Sequence, residues 1–284
     1  MQLKDYDTSR RYLATVKQTT RITPEDSEEV RELILQVEDS GFFFDVGQSI
    51  GVLVPGPHDF GHAYHFRLYS IAGICKTPGN PCIDICVKRV NYMDEYSGEM
   101  YPGIASHYLC NLQVGDRIHI TGPYELPFQM PSEHDANLLM IGMGTGIAPF
   151  RAFVQHIYDT LGGWQGKIRL FYGARTGLES IYMNDARDDF ANYYDQHTFQ
   201  AFKAVSPRPH WDEPAALDAA LAQHQQEIWQ LLLQTKTYVF IAGHESIKVM
   251  LDKTFATMAG SQQQWAKHKA VLIKQKRWLE LMYW

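Results

Sequence analysis

No run of apolar residues in this chain approaches the ~20 that a membrane-spanning helix requires, so no such span is expected. Cysteine is scarce as well, with four in 284 residues. Cys75, Cys82 and Cys86 contain no C-x2-C pair, which argues against the ordinary zinc and iron–sulfur frameworks. The four are expected as free thiols in a reducing compartment. His58, His62 and His65 fall in a Gly/Pro stretch with no helical face to converge them, and are expected as solvated loop residues. No basic stripe interleaved with aromatics occurs, so a nucleic-acid surface is not expected. The polar start MQLKDYDTSRRY lacks the apolar core of a secretory leader, and cytoplasmic residence is the expectation.

What is present begins with an uneven charge. The net charge is −6, and the residues up to Ser132 carry 11 Lys and Arg against 17 Asp and Glu, so the remainder is balanced. The late cluster Lys267, Lys269, Lys274, Lys276 and Arg277 reads as the wet side of a helix. At 284 residues and 45% apolar content the chain has room for two cored domains.

The first part reads as β-rich. Strand alternation covers 11–16 and 30–37, and a glycine-punctuated strand runs over 46–55. Further strands follow in RLYS (67–70), PCIDICVKRV (81–90) and DRIHITGP (116–123), with a polar turn at 94–98. Many short strands with Gly/Pro turns suggest a small closed antiparallel barrel. One helix is expected at 106–112, where P-G-I-A-S would aim backbone N–H groups and the Ser106 hydroxyl outward, as phosphate-binding helix starts do. A plain serine N-cap is the alternative.

The second part changes rhythm. A strand at 137–141 precedes G142-M-G-T-G-I-A-P149 and a helical run over 150–161. Strands at 168–172, 198–204 and 237–241 alternate with helical stretches at 182–192, 214–234 and 246–258, and a last helix spans 262–276. Such alternation means a parallel sheet covered on both faces, with ligands at the carboxyl ends of its strands. Gly142, Gly144 and Gly146 would let a dinucleotide approach the backbone closely. The expected domains are 1–132 and 133–284.

Three residues in R67-L-Y-S70 carry chemistry. An arginine can fork onto a diphosphate, a tyrosine offers a face for a planar ring, and a serine can hydrogen-bond a ring nitrogen that gains and loses a proton. Together they meet the needs of a flavin dinucleotide; an ordinary strand with an exposed Arg is the alternative. The closing Tyr283-Trp284 pair either plugs the core or shields a flavin face until nicotinamide displaces it.

Five segments in order, VGQSIGV, RLYSIA, CVKRVNY, GIASHYLCNLQVGDRIHITGP and GTGIAPFR, resemble the plant-type ferredoxin–NADP(+) reductase family. The resemblance implies a two-domain fold: an N-terminal antiparallel β-barrel binding FAD and a C-terminal α/β parallel sheet binding NADP(H), with the flavin ring at the seam. It also implies site residues. Arg67 would hold the FAD pyrophosphate, Tyr69 would stack on the isoalloxazine, Ser70 would face N5, and Leu68 lies between them. Cys86, Lys88 and Tyr92 match a strand whose Lys lies near phosphate and whose Tyr packs near adenine. Ile104, Ala105 and Ser106 match a phosphate-binding helix start. Gly144, Thr145 and Gly146 would face flavin and nicotinamide, and Arg175 resembles a nucleotide pyrophosphate ligand. Ser206 and Arg208 would meet the 2′-phosphate. Tyr283 would stack on the flavin, with Trp284 as an extension beyond it.

Three departures from that family stand out. Ala242-Gly243 replaces a Cys-Gly pair, Leu281 stands where many plant members have an acid with Glu280 one place away, and the Lys and Tyr usual after Ser206 and Arg208 are missing. The activity implied is hydride exchange with NADP(H) and single-electron exchange with ferredoxin or flavodoxin, in a monomer. Arg10, Arg11, Lys17 and Arg21 form the local positive patch available to such an acidic partner. The other readings are the reductase component of an oxygenase system and a non-catalytic flavin-binding subunit.

Overall fold

A computed structural model describes residues 6–56, 63–75, 80–94, 96–125, 127–177, 179–185, 187–195, 197–206 and 216–283. The chain divides into two units, Met1–Leu126 and Pro127–Trp284.

In the first unit the strands are β1 (Arg11–Arg21), β2 (Val30–Val37), β3 (Ser49–Pro55), β4 (Tyr64–Ile74), β5 (Cys82–Lys88), β6 (Asn91–Met93), β7 (Met100–Pro102) and, after helix α1 (Ile104–Asn111), β8 (Arg117–Tyr124). Six of them close an antiparallel barrel in the order β1-β2-β5-β4-β3-β8. Alternation builds its interior: Leu33, Leu35 and Val37 of β2 join Ile83, Ile85 and Val87 of β5 and Ile50, Val52 and Val54 of β3. Helix α1 adds Ala105, Leu109 and Cys110 to the same cluster. Each fully buried aliphatic side chain there contributes about 1.5–3 kcal/mol.

The second unit contains β9 (Asn137–Met143), α2 (Ala148–Gln155), β10 (Ile168–Ala174), β11 (Met183–Asn184), β12 (Arg187–Asp188), β13 (Phe199–Val205), α3 (Leu217–Gln223), α4 (Gln225–Leu232), β14 (Thr237–His244), α5 (Ile247–Met258), α6 (Gln262–Lys274) and β15 (Trp278–Tyr283). Five strands form one all-parallel sheet in the order β13-β10-β9-β14-β15. Strands β9 and β10 are buried along nearly their whole length, as a sheet covered on both faces demands.

Four local expectations are corrected. Residues 182–192 do not form one continuous helix: two short strands come first and a 3-10 turn follows at Phe190–Tyr193. Tyr182 sits at φ 60°, its ring lies under the guanidiniums of Arg151 and Arg187, and the Asn184 side chain accepts from the Arg187 N–H at 2.8 Å, which makes a tight β11–β12 turn instead. Buried Arg151 also pairs with Asp189 at 2.5 Å. Cys75 and Cys82 are not free thiols. They face each other across the β4–β5 hairpin with Cα atoms 5.3 Å apart and are joined as a disulfide, while Cys86 and Cys110 are buried and in no disulfide. His65 lies within β4, paired with Val54, whereas His58 and His62 fall outside the described residues. Finally, Arg277 is buried and not on a wet face; it donates to the carbonyls of Gln234 and Thr237.

Candidate nucleotide and flavin sites

In the barrel, alternation along β4 sorts the RLYS residues between two faces. Arg67 and Tyr69 stand opposite Val52 and Ile50, whereas Leu68 and Ser70 stand opposite Gly51 and Ser49. Tyr69 is half-buried against the barrel core, and that burial pushes its phenol pKa up, with Arg67 pulling weakly the other way. Arg67 is exposed and has no ion pair among the described residues, so its guanidinium is available to an anion. Behind Ser70, the buried Ser49 hydroxyl donates to Ser70 Oγ at 3.5 Å, at the long end of such contacts.

The start of α1 behaves differently from expectation at one atom. The Ser106 hydroxyl does not point outward: it accepts from the Val90 N–H at 3.1 Å and donates to the Gly103 carbonyl at 3.1 Å, tying the helix to the base of the β6–β7 hairpin. No side chain caps this helix, so its first-turn N–H groups keep their anion-binding capacity. Ile104 is exposed and Ala105 buried. Lys88 pairs with Glu28 at 2.5 Å, and Cys86 is buried beside it. Tyr92 is exposed and stacks on Tyr101 with centroids 5.9 Å apart. Of the four cations in the positive patch, Arg21 is turned onto its own β1–β2 turn, donating to the carbonyls of Thr23, Pro24, Glu25 and Ser27.

In the second unit the site is built largely from backbone at the carboxyl ends of the strands. Strand β9 runs into the turn Gly144–Ile147, which feeds α2 with Pro149 in its first turn. Gly144 has φ 56°, a region open to glycine. Gly146 passes so close to β14 that a Cβ there would lie 2.3 Å from the Ala242 carbonyl oxygen. Thr145 between them is half-buried. Arg175 is exposed just past β10, and its carbonyl accepts from the Ser206 N–H at 3.1 Å just past β13. Ser206 is 5% exposed, and its hydroxyl has no partner among the described residues. A buried hydroxyl left in that state beside an exposed arginine is what an absent anionic ligand would satisfy. Arg208 and Trp284 lie outside the described residues.

Strand β15 settles the two acids' question by alternation. Tyr283 donates from its hydroxyl to the Met143 carbonyl at 2.9 Å and lies against the glycine turn. Glu280 is on the opposite face, accepting from the Trp278 indole at 2.6 Å and pairing with Lys248 at 3.2 Å. It is held by α5 and α6 and does not take the place of the acid aligned with Leu281. Two residues escaped sequence reasoning: Tyr172, whose hydroxyl donates to the Gly144 carbonyl at 3.0 Å, and His244, at the end of β14 in register with Tyr283. An aromatic just before the G-A-R-T run was the available signal for the first.

Comparison with known proteins follows the same two halves. Residues 140–253 match the oxidoreductase NAD-binding domain family. A ferredoxin–NADP reductase from Synechocystis sp. is 31% identical over 240 residues, covering 82% of this chain and 57% of that protein. The chain therefore spans a little over half the length of that relative. Leaf isozyme 1 of the chloroplastic ferredoxin–NADP reductase of Oryza sativa subsp. indica is 30% identical over 277 residues, covering 94% of this chain and 75% of that one. The chain belongs to the ferredoxin–NADP reductase family. A mutant ferredoxin–NADP+ reductase from Plasmodium falciparum, solved in complex with 2′P-AMP, shares the fold at 20% identity with a TM-score of 0.74 and 98% coverage of both chains. The two-unit architecture of the reductase family, barrel then parallel sheet, is thus the architecture of this chain. No described helix is long and apolar enough to cross a membrane.

Proposed function

We propose that this member of the reductase family is an FAD-dependent oxidoreductase that exchanges a hydride with NADP(H) and single electrons with ferredoxin or flavodoxin. The observation that carries it is the exposed Arg67, without a counter-ion among the described residues, beside half-buried Tyr69 and Ser70 on one barrel strand. Arg67 and the uncapped start of α1 hold the FAD diphosphate, Tyr69 stacks on the ring system, and Tyr92 meets the adenine. FAD, when bound, supplies the conversion between two-electron and one-electron transfer.

The protein's own work is placement. Ser70 presents a hydroxyl as a hydrogen-bond partner to N5, with Ser49 behind it. The turn at Gly144, Thr145 and Gly146 lets the nicotinamide nucleotide approach the backbone, Arg175 binds its diphosphate, and Ser206 with Arg208 meets the 2′-phosphate. That the Ser206 hydroxyl is buried without a partner among the described residues supports a phosphate there. The acidic partner is met by Arg10 and Arg11, both exposed. A monomeric, cytoplasmic protein completes the reading; light scattering on a sizing column checks the monomer.

Replacing Ser70 with Ala is expected to slow reduction of the flavin by NADPH about 2- to 12-fold, the worth of one net hydrogen bond, with FAD still bound. Stopped-flow absorbance reads this directly. An unchanged rate removes Ser70 from the mechanism, and a purified chain that stays colourless when FAD is supplied removes the whole assignment.

A further inference from the structure

Two tyrosine hydroxyls hold neighbouring carbonyls of the glycine turn. Tyr172, on β10 and wholly buried, donates to the Gly144 carbonyl at 3.0 Å. Tyr283, on β15 and 38% exposed, donates to the Met143 carbonyl at 2.9 Å. The Tyr172 oxygen also accepts from the Ile181 N–H at 3.4 Å, which links the turn to the segment that follows Arg175. One tie is therefore internal to the sheet, and the other is on an exposed side chain that a ligand can move.

A trans peptide points its C=O and N–H in opposite directions. With the Gly144 carbonyl held inward by Tyr172, the N–H of Thr145 is turned outward, away from the sheet. Gly144, at φ 56°, opens a 3-10 turn over Gly144–Ile147 whose backbone bonds already orient that peptide, and the buried Tyr172 hydroxyl adds a side-chain hold on the same carbonyl. A carbonyl swung outward would present lone pairs to a diphosphate where an N–H is needed.

We infer that Tyr172 is a positioning residue of the pyridine-nucleotide site, keeping the Gly144–Thr145 peptide oriented with its N–H toward the nucleotide. This rests on the assignment of the turn to NADP(H). Sequence motifs do not reveal it, because the residue is buried and touches the ligand only through the peptide it holds.

The test is Tyr172→Phe in the full FAD-loaded chain, assayed with NADPH and ferricyanide. The inference requires KM for NADPH to rise about 3- to 10-fold, the range of one lost hydrogen bond, with kcat within about 2-fold and the flavin spectrum unchanged. Phe171→Leu is the control for stability alone. Phe171 is the preceding residue on β10, stacks on Phe202 and belongs to the helix-side core, so its loss lowers Tm without touching the turn. KM unchanged in Tyr172→Phe overturns the inference, as does an equal rise in KM in Phe171→Leu. If the wild-type holoenzyme neither binds nor oxidises NADPH, the dinucleotide assignment itself fails and takes the inference with it; a wild type that turns over normally isolates failure to Tyr172.

Discussion

On the proposed assignment, the barrel and the sheet reach their ligands by opposite means. In the barrel the recognising atoms are side chains set out along β4, where a two-residue period puts Arg67 and Tyr69 on one face and Ser70 on the other. In the sheet they are peptide groups at the ends of β9 and β14, brought together because Gly146 has no side chain to keep the backbones apart. A side-chain site fails by deletion of a group. A backbone site fails by addition of one.

The largest effect expected from that contrast is at Gly146. A methyl placed 2.3 Å from the Ala242 carbonyl oxygen meets main chain that cannot swing aside, and Gly146→Ala is expected to cost about 3 kcal/mol, the upper range for overpacking. Calorimetry should show this loss with the bound-FAD spectrum retained. Parallel loss of flavin would break the division between the two halves. Next is Arg67→Ala, expected to weaken FAD about 10- to 100-fold because a charged hydrogen bond is worth about 1.5–3 kcal/mol. Titration of the apoprotein checks it, and an unchanged Kd would remove Arg67 from the site.

Asp189→Asn sharpens the comparison on the sheet side. Burial opposes its charge, but Arg187 and Arg151 hold the Asp189 carboxyl below the usual carboxylate range. Its contribution, about 2 kcal/mol for hydrogen bonds to charged groups, is complete at neutral pH and is lost as the pH falls below about 4 and through the depressed folded value. Denaturant midpoints of wild type and variant should therefore converge in acid; a gap that persists at low pH contradicts the pairing. The smallest change is Ser206→Ala, expected to lower the NADPH over NADH ratio of kcat/KM about 2- to 12-fold. Equal loss for both nucleotides would place the hydroxyl away from the 2′-phosphate.

These sites differed in how far the sequence disclosed them. Alternation at the start of β1 and in β2 and the strand–helix rhythm after Asn137 made both architectures readable, since each period is imposed by the geometry it reports. The placement of R67-L-Y-S70 on a strand was readable as well. Hidden features depended on partners far along the chain. The stretch 182–192 has little helix propensity of its own, with three Asp and two Asn among its eleven residues, and two guanidiniums over Tyr182 together with the Asn184 side chain fix a turn there. The Ser106 hydroxyl does not face outward because it is taken by Val90, 16 residues earlier, and Tyr172 was passed over because its partner Gly144 lies 28 residues away.

Arg21 has a bearing on electrostatics that its position on the chain conceals. Its guanidinium is engaged by four carbonyls of a turn, so it works as scaffold for the β1–β2 connection; those carbonyls are neutral and leave its charge in place, but they hold that charge at one fixed point. An anion approaching this face would still feel that charge, but could not draw the side chain out to meet it without breaking the hydrogen bonds that close the turn.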